Sequence, residues 1–248
     1  MKESVRILWF ETLDSTNNEA LRRLDDLDNL SVLAAREQTA GRGQRGNRWH
    51  AAPGENLTFS LVFKPGFPLP AAEAFGISRA AALAVRGYLQ SRGIDAFVKW
   101  PNDIYVRNRK ICGMLVENAL QDGFVRASVI GIGLNVNQRT FCPDLVNPVS
   151  MALVSGENYT PETELEALCG FLAAALGALA VPEETAAQAR RYRDALYRLG
   201  ERHEYVRCAD GTSFHARIRD VDSTGRLLLE NEKGERESFA FKEISFVI

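Results

Sequence analysis

Cysteine and histidine are scarce in this chain. Its 248 residues include four cysteines, Cys112, Cys142, Cys169 and Cys208, far apart and with no C-x-x-C pair. The three histidines, His50, His203 and His215, show no ligand spacing either. A structural zinc site is therefore not expected, and scattered free thiols suit a reducing cytoplasm. An excess of positive charge is also missing: 30 Lys and Arg against 32 Asp and Glu leave a net charge of −2. That balance argues against a dedicated nucleic-acid binder. No apolar stretch reads as a membrane span, and the alanine-rich run from Phe171 to Val181 is too short and too small-sided. No secretory signal is expected, because Met1-Lys-Glu-Ser-Val-Arg leads straight into the strand-like Ile7-Leu-Trp-Phe. What is left, 46% hydrophobic and 25% charged residues, is ordinary for a soluble globular enzyme of one or two domains.

The richest stretch is Gln38-Thr-Ala-Gly-Arg-Gly-Gln-Arg-Gly-Asn-Arg-Trp-His50. Gly41, Gly43 and Gly46 let the backbone approach a ligand closely. Arg42, Arg45 and Arg48 offer forked donors for carboxylate or phosphate. No acid falls between Glu37 and Glu55. The combination points to a loop that closes over an anion, against the plain alternative of a solvated basic loop. The glycine spacing fits G-x-G-x-x-G, but a dinucleotide fold needs a helix next. Asn47 to Asn56 has no amphipathic run and carries Pro53-Gly54. A kinase loop is excluded because H-R-D and D-F-G are missing.

The rest of the chain alternates strand and helix signals. Strands are expected at Ile7 to Phe10, Ser31 to Ala35, Asn56 to Lys64, Ala96 to Trp100, Ile104 to Val106, Lys110 to Glu117 and Phe124 to Asn137. A helix capped by Ser15 or Thr16 should turn Ala20, Leu21 and Leu24 inward. Longer helices are expected over Pro70 to Arg92, ended by Gly93, and over Thr160 to Ala180 and Glu183 to Leu199. After Gly200 short strands alternate with turns at Ala209-Asp-Gly, Ser223-Thr-Gly and Glu232-Lys-Gly. The expected division is residues 1–199 and a small all-β unit, residues 200–248.

Three further segments carry chemistry. Asp14-Ser-Thr-Asn opens a helix, where free N–H groups cradle a polar or anionic head; alone it is a plain capping motif. Lys99-Trp-Pro-Asn-Asp crowds four polar or aromatic side chains around one proline, and Lys110-Ile-Cys-Gly-Met-Leu-Val-Glu follows. Lys110 opens an apolar strand, so its ammonium faces a cavity unless it is a turn lysine in solvent. Gly113 inside that strand, and the two glycines of Gly131-Ile-Gly-Leu-Asn-Val-Asn, mark bulges or close approach of a ligand or backbone.

Together and in this order, these segments resemble those of the biotin protein ligases, a match running from about residue 5 to the C-terminus. The resemblance implies an α/β (α+β) fold: a mixed-sheet catalytic domain of the biotin/lipoate protein ligase type, then a small SH3-like β-barrel. It implies activation of biotin by ATP and transfer to a lysine of a biotin carboxyl carrier domain, such as that of acetyl-CoA carboxylase. Mg²⁺ would bind mainly through the nucleotide, with no metal ligands from the protein alone. The catalytic residues would be Lys110, Arg42 and Asp103. Binding of biotin and its adenylate would fall to Ser15, Thr16, Asn17, Gln38, Gly41, Arg42, Gly43, Gln44, Gly46, Trp49, Lys99, Asn102, Lys110, Gly113 and Asn135. A homodimer through an exposed sheet edge is reasonable, with no DNA and no membrane partner. Two departures stand out. Gln44 occupies a place where relatives often have arginine, leaving Arg45 as the substitute cation. The first motif begins at Asp14, which leaves no room for an N-terminal DNA-binding winged helix. The alternatives are a lipoate or octanoate ligase or transferase on the same fold, a biotin-responsive regulator without significant catalysis, and a pure ligand-binding module.

Overall fold

A computed structural model describes residues 5–248, Arg45 through its backbone alone. The opening Met1-Lys-Glu-Ser and the Arg45 side chain, with its expected role beside Gln44, lie outside the described residues. The chain runs β1 (Arg6–Leu13), α1 (Thr16–Arg22), β2 (Ser31–Gln38), β3 (Leu57–Phe63), α2 (Phe75–Ser91), β4 (Phe97–Lys99), β5 (Asp103–Val106), β6 (Arg109–Gln121) and β7 (Phe124–Leu134). Helices α3 (Met151–Ser155), α4 (Pro161–Gly177) and α5 (Pro182–Asp194) follow. Strands β8 (Arg202–Arg207), β9 (Ser213–Val221), β10 (Leu227–Asn231), β11 (Arg236–Phe239) and β12 (Ile244–Phe246) close the chain.

The first seven strands form a mixed sheet in the order β1-β2-β3-β7-β6-β5-β4, parallel only between β1 and β2. Alternation along each strand divides it between the two faces. Ile130, Ile132 and Leu134 of β7 join the main core with Ile77, Ala81, Val85 and Leu89 of α2. Ala127 and Val129 join a smaller core with Ala20 of α1 and Leu24 just beyond it. Gly131 and Gly133 therefore fall on the α1 face, and that face carries the site. The last five strands form an antiparallel sheet in the order β11-β10-β9-β8-β12. This mixed sheet followed by a small β unit is the expected architecture.

Several element ends differ from expectation, each for a tertiary reason. The helix expected from Pro70 begins at Phe75, after a 3₁₀ turn at Ala71–Glu73. Its first residues instead bond the β6–β7 hairpin, Ala71 N–H donating to the Gly123 carbonyl. The last helix stops at Asp194 rather than Leu199, because the next residues pair with β4. Val98 N–H donates to the Ala195 carbonyl, and Tyr197 N–H to that of Val98. Leu21, expected inward, is exposed, since Ala20 and Leu24 take the inner side. Helix α3 had no expectation; Ser150 caps it by accepting from Leu153 N–H, and Gly156 at φ 84° ends it. The segment Pro161–Ala180 is long and apolar enough, by length and composition, to cross a membrane, more so than its alanine-rich end suggested. Its Leu165, Leu168, Leu172 and Leu176 are fully buried, and α4 packs on α2 as a core helix.

The C-terminal sheet is keyed to the first. Trp100 Nε1 donates to the Gly225 carbonyl at 2.8 Å, and Phe241 meets the Trp100 ring edge-on at 6.3 Å. Gly225 sits at φ 89° directly over Phe75, where a Cβ would overlap the ring.

Candidate active site

The site starts at the buried head of α1. Ser15 occupies the N-cap position in extended conformation, but its side chain makes no capping bond. The cap comes from another strand: Gln38 Oε1, at the end of β2, accepts from Thr16 N–H at 2.7 Å and from the Thr16 hydroxyl at 3.2 Å. Ser60 on β3 donates to Asn17 Oδ1 at 2.6 Å and lies 2.8 Å from the Thr16 hydroxyl. Asn17 Nδ2 donates to the Leu115 carbonyl and to Glu117 Oε2. Asn17 reaches this far because Gly131 stands opposite; a Cβ there would overlap its amide.

The glycine–arginine loop folds back on itself. Trp49 N–H donates to the Gly41 carbonyl at 3.0 Å, Gly43 N–H to that of Asn47 at 2.7 Å, and a 3₁₀ turn spans Gln44–Gly46. At the loop's end the Trp49 ring lies on Gly113 and Gly133, where side chains would collide with it. The close approach expected at these strand glycines is thus made by the side chains of Asn17 and Trp49. Among the described residues Trp49 Nε1 is buried without a hydrogen-bond partner, an unused donor at the wall of the site.

Lys110 enters from the start of β6, whose backbone is clamped by exchange with Asn147 and Val149. Its Nζ lies 2.7 Å from Asp103 Oδ1 and 5.7 Å from the Trp49 ring centre. Lys99 is held in an aromatic cage, 5.1 Å from the Tyr105 centre and 4.7 Å from that of Phe246 on β12. Burial holds its ammonium below the ordinary lysine value; Asp103 opposes that shift, and Lys110 and Arg198 add to it. Burial likewise pushes the Cys112 thiol up, which leaves it an unreactive core residue.

One cavity of about 220 Å³ gathers most of the expected residues: Ser15, Thr16, Asn17, Gln38, Arg42, Gly43, Gln44, Trp49, Lys99, Asn102, Asp103, Lys110 and Gly113. Gly41 and Gly46 instead line a second, more open pocket beside the loop, together with Arg42 and Glu117. Asn135 is buried behind the site and donates to the Val149 carbonyl. Arg42 is already engaged: its guanidinium forks onto Glu117 at 2.8 and 3.0 Å. Ser60, Glu117 and Phe241 were not anticipated. Ser60 was detectable as the polar residue near the middle of the apolar run Leu57–Phe63. Glu117 shares the face of Gly113 by simple alternation. Nothing in the sequence brings Phe241 to the cavity.

A buried polar cradle, a folded-back cationic loop and a lysine–carboxylate pair thus converge on one cavity against one face of a mixed sheet. Residues 9–135 match the model of the biotin/lipoate A/B protein ligase family, and the chain belongs to that family. It is 30% identical over 229 residues to the biotin–[acetyl-CoA-carboxylase] ligase of Paracoccus denitrificans, covering 90% of this chain and 93% of that one. It is 29% identical over 227 residues to the bifunctional ligase/repressor BirA of Bacillus spizizenii, with 85% of this chain matched. The match spans only 64% of that relative's length. The fold superposes on the biotin protein ligase of Aquifex aeolicus, solved with biotin and ATP, with a TM-score of 0.79 over 98% of both chains at 22% identity.

Proposed function

We infer that this protein activates biotin with ATP to biotinyl-5′-AMP, and transfers the biotinyl group to a lysine of a biotin carboxyl carrier domain. One observation carries the reading: the α1 cradle and the Lys110–Asp103 pair open into the same cavity, beneath Trp49. The Paracoccus relative, matched over nearly its full length, supports it.

The first step brings a carboxylate to the α-phosphorus of ATP and expels pyrophosphate. Two unit charges about 4 Å apart repel by roughly 4 kcal/mol at an effective dielectric near 20. Lys110 and Arg42 are the cations that offset this repulsion, with loop N–H groups as further donors. The Asp103 carboxylate is taken up by Lys110. The site therefore fits Mg²⁺ arriving on the triphosphate, where it would neutralise charge. Ser15, Thr16, Asn17 and Gln38 hold the neutral ring system by hydrogen bonds. The glycine–arginine loop covers the mixed anhydride and keeps water from it. In the second step the amine of a carrier lysine attacks the carbonyl of the mixed anhydride, forming an amide as the acyl–phosphate bond breaks and AMP leaves, and for this the amine must be neutral. About one free lysine in a thousand is neutral near pH 7, a handicap of about 4 kcal/mol. Asp103 orients that amine or accepts its proton.

The acceptor is a biotin-dependent carboxylase carrier, the compartment is the cytoplasm, where ATP is supplied, and the outer position of β1 supports pairing of two copies. The domain division is 1–199 and 200–248. The test is isotope exchange between pyrophosphate and ATP without a carrier. Exchange is expected with biotin; exchange with lipoate or octanoate but not biotin overturns the reading.

A further inference from the structure

Glu117 takes no part in the reaction as inferred, yet it ties the loop to the cradle. It lies on β6 on the face of Gly113 and Leu115. Arg42 Nη2 donates to its Oε1 at 2.8 Å, and Nη1 to its Oε2 at 3.0 Å. The same Oε2 accepts from Asn17 Nδ2 at 2.8 Å. Arg42 Nη1 also donates to Asn18 Oδ1 at 2.9 Å.

A forked guanidinium presents a limited donor edge, and here a carboxylate fills it. A phosphate that takes Arg42 through this paired Nη1/Nη2 edge must displace Glu117 from it, since the carboxylate already holds both nitrogens. The two anions therefore compete for one cation, and the geometry sets the direction of exchange. Arg42 borders both the main cavity and the second, more open pocket, whereas Glu117 borders the second of these and not the first. Arg42 can thus turn from Glu117 toward the cavity without leaving its place in the loop. Glu117 is not stranded by that move, because Asn17 still donates to it.

We propose that Glu117 is a positioning residue: it parks Arg42 against the cradle until an anionic group in the main cavity takes the guanidinium over. Filling of the cavity then draws the guanidinium off Glu117 while the loop keeps its place. The proposal rests on Arg42 being the phosphate-binding cation of the inferred reaction. The Arg42–Glu117 side chains are 37% and 27% exposed, so the exchange is screened by solvent and modest in size.

The test uses the full chain, inorganic pyrophosphate as probe, and Glu117→Gln. Calorimetry at low salt should show pyrophosphate binding about threefold or more tighter in Glu117→Gln than in the unaltered protein. That gain should vanish when Arg42→Gln is added. Tryptic cleavage within residues 42–48, followed by mass, should quicken about tenfold while the melting temperature stays near that of the parent. A merely structural Glu117 would lower the melting temperature and would not tighten pyrophosphate binding. If Glu117→Gln does not fold, Glu117→Asp, which withdraws the carboxylate by one methylene, carries the test with the same expected direction. Unchanged or weaker pyrophosphate binding in the variant, or no binding to either protein, overturns the proposal. Neither readout involves biotin or an acceptor, so a failed exchange assay with biotin would count against the inferred substrate alone.

Discussion

The cradle at the head of α1 and the glycine–arginine loop face each other across one cavity, and they are built in opposite ways. Thr16, Asn17 and Ser60 are 3%, 3% and 0% exposed, and they hydrogen-bond one another and Gln38. The loop leaves Arg42, Gly46, Asn47 and Arg48 exposed and reaches the cradle side through Arg42, which grips Glu117 and Asn18. Fully satisfied buried networks are stiff, whereas exposed segments with few apolar contacts open at low cost. On the function proposed above, the stiff side would hold the neutral ring, and the yielding side would bring charge and shut out water. Lys110 stands where the two meet, paired with Asp103 and facing Trp49.

The largest effect is expected at that meeting point. Lys110→Ala should slow adenylation by about 10²-fold or more, as for loss of a principal charge stabiliser. Asp103→Ala should hurt transfer to the carrier lysine more than adenylation. Single-turnover rates of each half-reaction check both, and equal loss in the two steps would leave Asp103 as a support for Lys110 only. Next, Gly131→Ala drives a methyl group into the Asn17 amide. If the cradle is stiff, the change costs about 1–3 kcal/mol in chemical denaturation and weakens biotin binding. A fully stable variant would show that the cradle yields, and would break the contrast.

On the yielding side the expected effect is smaller. Gln44→Arg adds a charge to the cavity wall and should slow release of preformed biotinyl-adenylate about tenfold, roughly 1.4 kcal/mol. An unchanged release rate would mean that other loop donors already supply the contact. The smallest effect concerns Lys99. Its folded-state pKa is depressed by burial, so the folded protein gives up this proton at lower pH than the unfolded chain, whose ordinary value is near 10.5. Stability should therefore rise with pH between those two values and be lost as pH falls through the folded one. Lys99→Met should flatten that rise, as followed by melting temperature across the alkaline range.

The parts legible in the sequence are those governed by local period and local chemistry. The strand of Leu57–Phe63, the body of α2 and its stop at Gly93, φ 72°, follow from apolar spacing and one left-handed glycine. The loop, the helix head and Lys110 were visible as unusual residue groupings. Their partners were not. Glu117 meets Arg42 across 75 residues, and Ser60 meets Asn17 across 43, through strand register that no short window contains. The end of α5 was misplaced for the same reason: Leu196 lies beside Val98, and a backbone pairing between distant segments overrides helical spacing. Arg42 shows a further kind of gap, since its residue type announces an anion without saying whether that anion is a ligand or a carboxylate of the same chain.

Gly225 carries a consequence for how such a chain can be altered by recombination. Its carbonyl is the acceptor for Trp100, and its bare Cα rests on Phe75. Both partners belong to the first sheet's unit, and Trp100 immediately precedes Pro101-Asn102-Asp103 of the cavity. The two sheets are therefore not interchangeable cassettes. A C-terminal unit borrowed from a distant relative would arrive with a turn fitted to another tryptophan and another phenylalanine. Its misfit would bear on Trp100, and through it on the Pro101-Asn102-Asp103 turn that borders the cavity.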